Sequence, residues 1–207
     1  MSKRDANKRR NEQEILATAI RLFISKGAEE TTIGDIVAST SLARGTFYNY
    51  FKDKKEIWDK IITDLIDNLN QKAFRKRAES TTIHDFIYDS FLEPLSVFDK
   101  PPYRELIAKN PSAFRDAFFK NEEIGVIISI FERDMRASSL FKNLPDYFYK
   151  MTAYSMVGSC LEILIQSQSN RDNFTIKQIT EYITLIFEKS LESVQLKSSH
   201  DVAGTKS

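Results

Sequence analysis

The 207-residue chain has a single cysteine, Cys160, and two histidines, His84 and His200. One thiol excludes an intramolecular disulfide framework and a cysteine-based zinc site. Glycine and proline are scarce, at six and five residues. An all-β protein needs such breakers at frequent turns, so their scarcity favours long helices. No stretch reaches the roughly 18–20 apolar residues of a membrane span, and the first thirty residues hold no apolar run fit for a signal peptide. A soluble cytoplasmic protein is the expectation. No Gly-rich phosphate loop, His-x-x-x-His or Gly-x-Ser-x-Gly pattern occurs. Acid–base, nucleophilic and metal chemistry therefore lack their usual side chains, and no catalytic residue, cofactor or metal is expected.

Hydrophobic residues make up 42% of the chain and charged residues 29%, which are globular values. The net charge of +1 conceals an asymmetry. Residues 1–77 carry 16 Lys/Arg against 11 Asp/Glu, and residues 78–207 carry 14 against 18. A basic front with an acidic rear is what a polyanion-binding first part would have, and also what chance clustering on solvated helices would give.

Helical spacing dominates the apolar pattern. Residues 1–10 carry five cations, Lys3, Arg4, Lys8, Arg9 and Arg10, and read as a flexible arm that either reaches the minor groove or neighbouring phosphates of DNA or is in part a solubilising tail. Apolar residues at 15, 16, 19, 20, 22 and 23 predict a helix that stops at Gly27. Thr32-x-x-Asp35 has the form of a capping box and opens a short helix with Ile33, Ile36 and Val37 inward. A third short helix is predicted from Ala43 to about Tyr50. Asp53-Lys-Lys-Glu56 opens an unusually long one, to about Lys76. Thr82-x-x-Asp85, Asn110-Pro111, Pro145 and Thr175-x-x-Gln178 mark further helix starts, the first running to Phe98 with strain at Pro94. Residues 197–207 show no periodicity and are expected to be a disordered tail.

Thr31 to Lys55 is the informative stretch. Two short helices joined by a tight polar turn have the length of a helix-turn-helix, whose second helix enters the major groove. Gly45 leaves bare backbone at the front of that second helix. Phe47 and Phe51 can point inward, which leaves Arg44, Thr46, Tyr48 and Tyr50 on other faces. Arg44 has the fork geometry for guanine O6 and N7. Thr32, Tyr48, Lys54 and Lys55 have donors for phosphates. A helical hairpin within an ordinary α-domain fits the periodicity too, and Tyr50 is divided between packing and phosphate contact.

Residues 10–57 closely resemble the N-terminal DNA-binding domain of the TetR family of transcriptional regulators. The resemblance is carried by Arg10, Ile15-Leu16, Ala19, Leu22-Phe23, Gly27, Thr31-Thr32 and Asp35-Ile36-Val37-Ala38. It continues through Leu42 to Phe51, then Lys54, Glu56 and Ile57. It implies an all-α homodimer whose three-helix head, with its helix-turn-helix, is joined by a long linking helix to a helical C-terminal ligand-binding and dimerisation domain. On that frame the chain divides into an arm (1–10), a DNA-binding domain (11–55), a ligand-binding and dimerisation domain (56–196) and a tail (197–207). The implied DNA-facing residues are Arg44, Gly45, Thr46 and Tyr48, with Lys54 similar to a phosphate-contacting lysine. Ile33 stands where some members have a base-reading Arg, and Ala43 where Ser is frequent, so those two contacts are expected to be missing.

The second half is rich in aromatics. Phe91, Phe98, Phe118, Phe131 and Tyr154 are the candidates to line a pocket for an apolar or aromatic effector, against simple core filling. Glu93 and Glu162 lie in apolar stretches, as ligands for a cationic effector or as solvated carboxylates. The resemblance puts a two-fold interface on the last two helices, with Val157, Gly158, Leu161, Ile165, Ile183 and Phe187 as candidates. The function implied is a sequence-specific regulator, a repressor released from a palindromic DNA operator by a small molecule. The alternative is an architectural or partner-recruiting DNA-bound protein with no effector.

Overall fold

The computed structural model describes residues 2–120, 123–169 and 172–204. Ten α-helices and no strand occur among them: α1 (Lys3–Lys26), α2 (Ile33–Ala38), α3 (Arg44–Phe47), α4 (Lys54–Glu79), α5 (Ile83–Leu95), α6 (Tyr103–Lys109), α7 (Pro111–Lys120), α8 (Glu123–Ala137), α9 (Asp146–Ser169) and α10 (Ile176–Gly204). No helix among the described residues is long and apolar enough to cross a membrane.

The helix starts lie where side-chain acceptors meet free backbone N–H groups. Thr32 accepts from the Asp35 N–H (3.1 Å), Asp53 from Glu56 (2.8 Å), Thr82 from Asp85 (3.0 Å) and Thr175 from Gln178 (3.2 Å). Two terminal expectations are corrected. Residues 3–10 are helical rather than a flexible arm, because Ser2 and Asp5 form a capping box and α1 begins at Lys3; Met1 lies outside the described residues. Nor is the rear end shapeless from 197: α10 runs on to Gly204, since extending an existing helix fixes one residue per added bond. Residues 205–207 lie outside the described residues. Helix α5 stops at Leu95 rather than Phe98 and tightens into a 3₁₀ turn over Ser96–Asp99. Pro94, one residue before its end, has no N–H to donate.

Helices α1–α3 wrap around Ile15, Ala19, Phe23, Ile36 and Phe47, all fully buried. This core is not closed off from the rest. Phe23 on α1 lies 5.5 Å from Trp58 on α4, and Trp58 lies 6.5 Å from Phe114 on α7. Phe114 in turn stacks on Phe118 (5.0 Å) and meets Phe98 edge-on (6.1 Å). A buried ladder of rings thus joins the head to the body. Such pairs contribute about 0.5–1.5 kcal/mol each beyond area burial.

A polar knot reinforces the joint. Helix α1 ends at Gly27, whose φ of +94° favours glycine. The Phe23 carbonyl accepts the Gly27 N–H (3.1 Å) and keeps a second lone pair, the turn leaves the Ala28 N–H without a helical partner, and buried Asn110 at the end of α6 meets both. Its Nδ2 donates to the carbonyls of Phe23 (3.0 Å) and Leu106 (2.9 Å), and its Oδ1 accepts from Ala28 N–H (2.6 Å). Asn110→Ala would strand the Ala28 N–H and remove the second bond to two carbonyls, with little water to replace the amide. It should destabilise the protein by about 1–3 kcal/mol in urea unfolding followed by Trp58 fluorescence; an unchanged midpoint would show that the knot contributes nothing.

Candidate nucleic-acid interface and interior cavity

Helix α2 is anchored by its cap. Asp35 accepts from the Thr32 N–H (2.8 Å), the Thr32 hydroxyl (2.6 Å) and Lys26 Nζ (2.5 Å). Lys26 first, then Thr32, holds the Asp35 carboxyl well below the usual carboxylate range. The Thr32 hydroxyl both donates and accepts within this box.

Beyond the turn, Phe47 and Phe51 fill the core at i and i+4, as their spacing predicts. Regular helix ends at Phe47, earlier than the expected Tyr50. The chain tightens into i→i+3 bonds from Asn49 N–H to Thr46 and from Tyr50 N–H to Phe47. Arg44, Gly45 and Tyr48 are exposed, and Thr46 is half-buried. Arg44 has no ion-pair partner among the described residues. A Cβ built on Gly45 would meet nothing within 4 Å. Its bare backbone therefore faces open space, and the fold itself does not require glycine there.

Three other candidates have tasks inside the protein. Lys54 Nζ donates to the carbonyl of Glu29 (2.9 Å) and to that of Ala28, tying the α1–α2 loop to the start of α4. These bonds use two of the three N–H groups of its ammonium. The Tyr50 hydroxyl accepts from Asn11 Nδ2 (3.1 Å) while its half-buried ring packs on the core. Lys55 pairs with Asp59 (2.6 Å), but at 71% side-chain exposure the pair is weakly held.

Sequence reasoning missed two residues that orient the helix-turn-helix. Asn11 bonds the end of the α3 segment. Glu14 accepts from the Ser41 N–H (2.5 Å) and hydroxyl (3.0 Å) in the turn before α3, and these bonds hold its carboxyl below the usual range. Both are ordinary polar residues on a charged helix, with no local signal of a partner 27 or 39 positions away.

In the body, Phe91, Phe98, Phe118 and Phe131 converge on one cavity of about 80 Å³. Leu69, Asn70, Ala73 and Arg77 of α4 form part of its wall. Arg77 is the one charged residue lining it. Its buried guanidinium bonds Asp134 on α8 (2.9 Å) and lies 5.2 Å from the Phe131 ring. Burial pulls Arg77 below its ordinary value, and Asp134 opposes that. Cys160, also in the wall, is pushed up to about 12 by burial and stays a thiol.

Tyr154 does not join this cavity; it is half-exposed on the outside of α9. Glu162 is held by two 2.9 Å bonds from Arg115, and Glu93 lies 3.8 Å from Lys76 at the surface. The expected interface set is also corrected. Val157 and Leu161 line the cavity, Ile165 and Ile183 are buried within the subunit, and Phe187 packs half-buried against the core. Only Gly158 lies on an outer stripe, with Tyr147, Met151 and Tyr154 at helical spacing. Next to it, α10 exposes Tyr182, Leu185, Ile186 and Leu196. Both helices carry apolar residues on more than one side, so spacing alone does not say which side faces in.

With this geometry in place, the comparisons are decisive for the head. Residues 15–61 match the model of bacterial regulatory proteins of the tetR family. They form a TetR-family helix-turn-helix domain. Over 74 residues the chain is 31% identical to YhgD, an HTH-type transcriptional regulator of Bacillus subtilis (strain 168), covering 36% of this chain and 39% of that protein. Over 80 residues it is 30% identical to IcaR of Staphylococcus aureus (strain Newman), a negative transcriptional regulator of the biofilm operon icaADBC, covering 39% and 43%. The similarity thus spans about two fifths of these relatives' length.

The fold of solved TetR-family structures extends over most of the chain. A TetR-family regulator from Syntrophomonas wolfei superposes with a TM-score of 0.68 at 21% identity, over 89% of this chain and 95% of that one. Thermus thermophilus FadR, a TetR-family repressor solved in complex with lauroyl-CoA, gives 0.61 at 16% identity, over 86% and 92%. Within this TetR-type head, Lys54→Met should lower the thermal midpoint by loosening the α1–α2 loop. It should leave the salt dependence of duplex binding unchanged. A slope shallower by about one unit would instead make Lys54 a phosphate contact.

Proposed function

We propose that this protein is a transcriptional repressor that grips a palindromic DNA operator as a two-fold dimer and lets go when a small apolar molecule enters its body. The observation that carries the reading is the free edge Arg44-Gly45-Thr46-Tyr48, displayed on a TetR-type head. IcaR, similar over the head, is a negative regulator, which supports the sign of regulation. Cytoplasmic DNA is the partner such a head serves.

The second copy would sit on the stripe shared by α9 and α10, where Met151, Tyr154, Tyr182, Leu185 and Ile186 leave apolar surface in water. A two-fold contact there would set two heads apart, and successive major grooves are about 34–36 Å apart. The body would act as a sensor through its cavity, which is far below the ~300–1,000 Å³ of ordinary ligand pockets. A ligand must therefore spread the walls, and α4 is both wall and stem of the head. Its apolar lining, and the lauroyl-CoA held by T. thermophilus FadR, support an apolar effector. Release needs only differential affinity, and about 1–3 kcal/mol of coupling changes operator affinity roughly 5–150-fold.

Footprinting on the DNA upstream of the protein's own gene tests the reading directly; a protected, two-fold symmetric site is expected, and no protection of any duplex would end it. Arg44→Ala should relax discrimination at one base position and weaken binding by about 1–3 kcal/mol. Equal weakening on all sequences would make Arg44 a phosphate contact. Gly45→Val should abolish operator binding while leaving the melting curve intact, because the fold has room for the side chain. Leu185→Glu with Ile186→Glu should yield monomers by sedimentation; an unchanged dimer would move the interface elsewhere.

A further inference from the structure

The first two turns of α1 carry Lys3, Arg4, Lys8, Arg9 and Arg10, all exposed and none with an ion-pair partner among the described residues. They are folded before any DNA is met, and their direction is set. Arg4, Lys8 and Asn11 share one stripe at i, i+4 and i+7. Asn11 reaches the Tyr50 hydroxyl, so Arg4 and Lys8 extend along the same side of the helix. The result is an open cleft with Lys3, Arg4 and Lys8 on one wall and Asn49 and Tyr50, the end of the α3 segment, on the other. Asp5, the acid on that wall, is occupied by the Ser2 N–H (3.1 Å). The Glu14–Ser41 bonds fix the same helix to the turn at the other end of α3.

We propose that this cleft seats the sugar–phosphate backbone of DNA next to the stretch read by α3, with Lys3, Arg4 and Lys8 bonding its phosphates. The inference rests on the DNA-binding reading above and adds a second contact region to it. Double-stranded DNA is the occupant because the wall offers three closely spaced cations, Lys3, Arg4 and Lys8, against one acid that is already engaged. It also lies directly beside the segment that would enter the groove. A stiff, tethered row of cations keeps one spacing, as a strand of evenly spaced phosphates requires.

The test uses the full-length protein and a labelled duplex that it selects from a randomised library, titrated between about 50 and 200 mM KCl. The triple variant K3Q/R4Q/K8Q should keep its melting curve but bind more weakly. Its plot of log K against log salt should be shallower by about 0.9 for each phosphate that a subunit no longer neutralises. K3R/R4K/K8R should restore the wild-type slope. K100Q/K142Q/K177Q removes the same charge from the body and should leave the slope unchanged. An unchanged slope in the first variant, with wild-type binding intact, overturns the cleft alone. A slope equally reduced in the body variant also overturns it, because net charge then explains the weakening. Failure of the wild-type protein to retain any duplex overturns the DNA-binding reading itself.

Discussion

Asn110 ties the two halves of this molecule together. Its amide is shared between the end of α1 and the end of α6, and beside it the rings of Phe23, Trp58 and Phe114 run in contact from head to body. The head cannot rotate about its stem without breaking buried hydrogen bonds and separating those rings. Geometry imposed anywhere along the ladder is therefore felt at α3. The cavity walls Phe98 and Phe118 are at the far end of the same ladder. Packed interiors transmit displacement because they have few voids to absorb it.

The helix-turn-helix shows how local chemistry places a functional edge. Four polar groups around it have partners within the head: Lys26 with Asp35, Lys54 with loop carbonyls, Glu14 with Ser41, Asn11 with Tyr50. The short run from Arg44 to Tyr48, with Arg44 unpaired among the described residues, stands between these fixed points. Internal satisfaction of the surroundings leaves that run as the place where new hydrogen bonds can be made without breaking old ones.

Much of this was legible in the residues. Capping boxes, apolar periodicity and the Phe47/Phe51 pair locate the head's helices closely, because each is a local rule read over four to seven residues. The roles of Lys54, Tyr50 and Thr32 were not legible, since each depends on a partner brought near by tertiary structure or on a competing use of the same hydroxyl. Four of the five aromatic candidates converge on the cavity, yet Tyr154 faces out. The inward and outward sides of α9 were exchanged for a similar reason: a helix apolar all round carries no mark of which side meets its own core. The helical start of the chain was legible after all, in Ser2-x-x-Asp5, but a run of cations hides a two-residue cap.

The pre-formed helix at the start of the chain has a thermodynamic corollary. A basic tail that orders only on contact gives up backbone entropy of about 1–2 kcal/mol for each residue it fixes. Here that ordering belongs to folding, through one capping box and two side-chain tethers. Association at this end should then lack the heat-capacity signature of coupled folding. A rigid arm also gives up the long reach of a loose one, so the rate of first encounter would depend on the field of its charges rather than on casting about in solution.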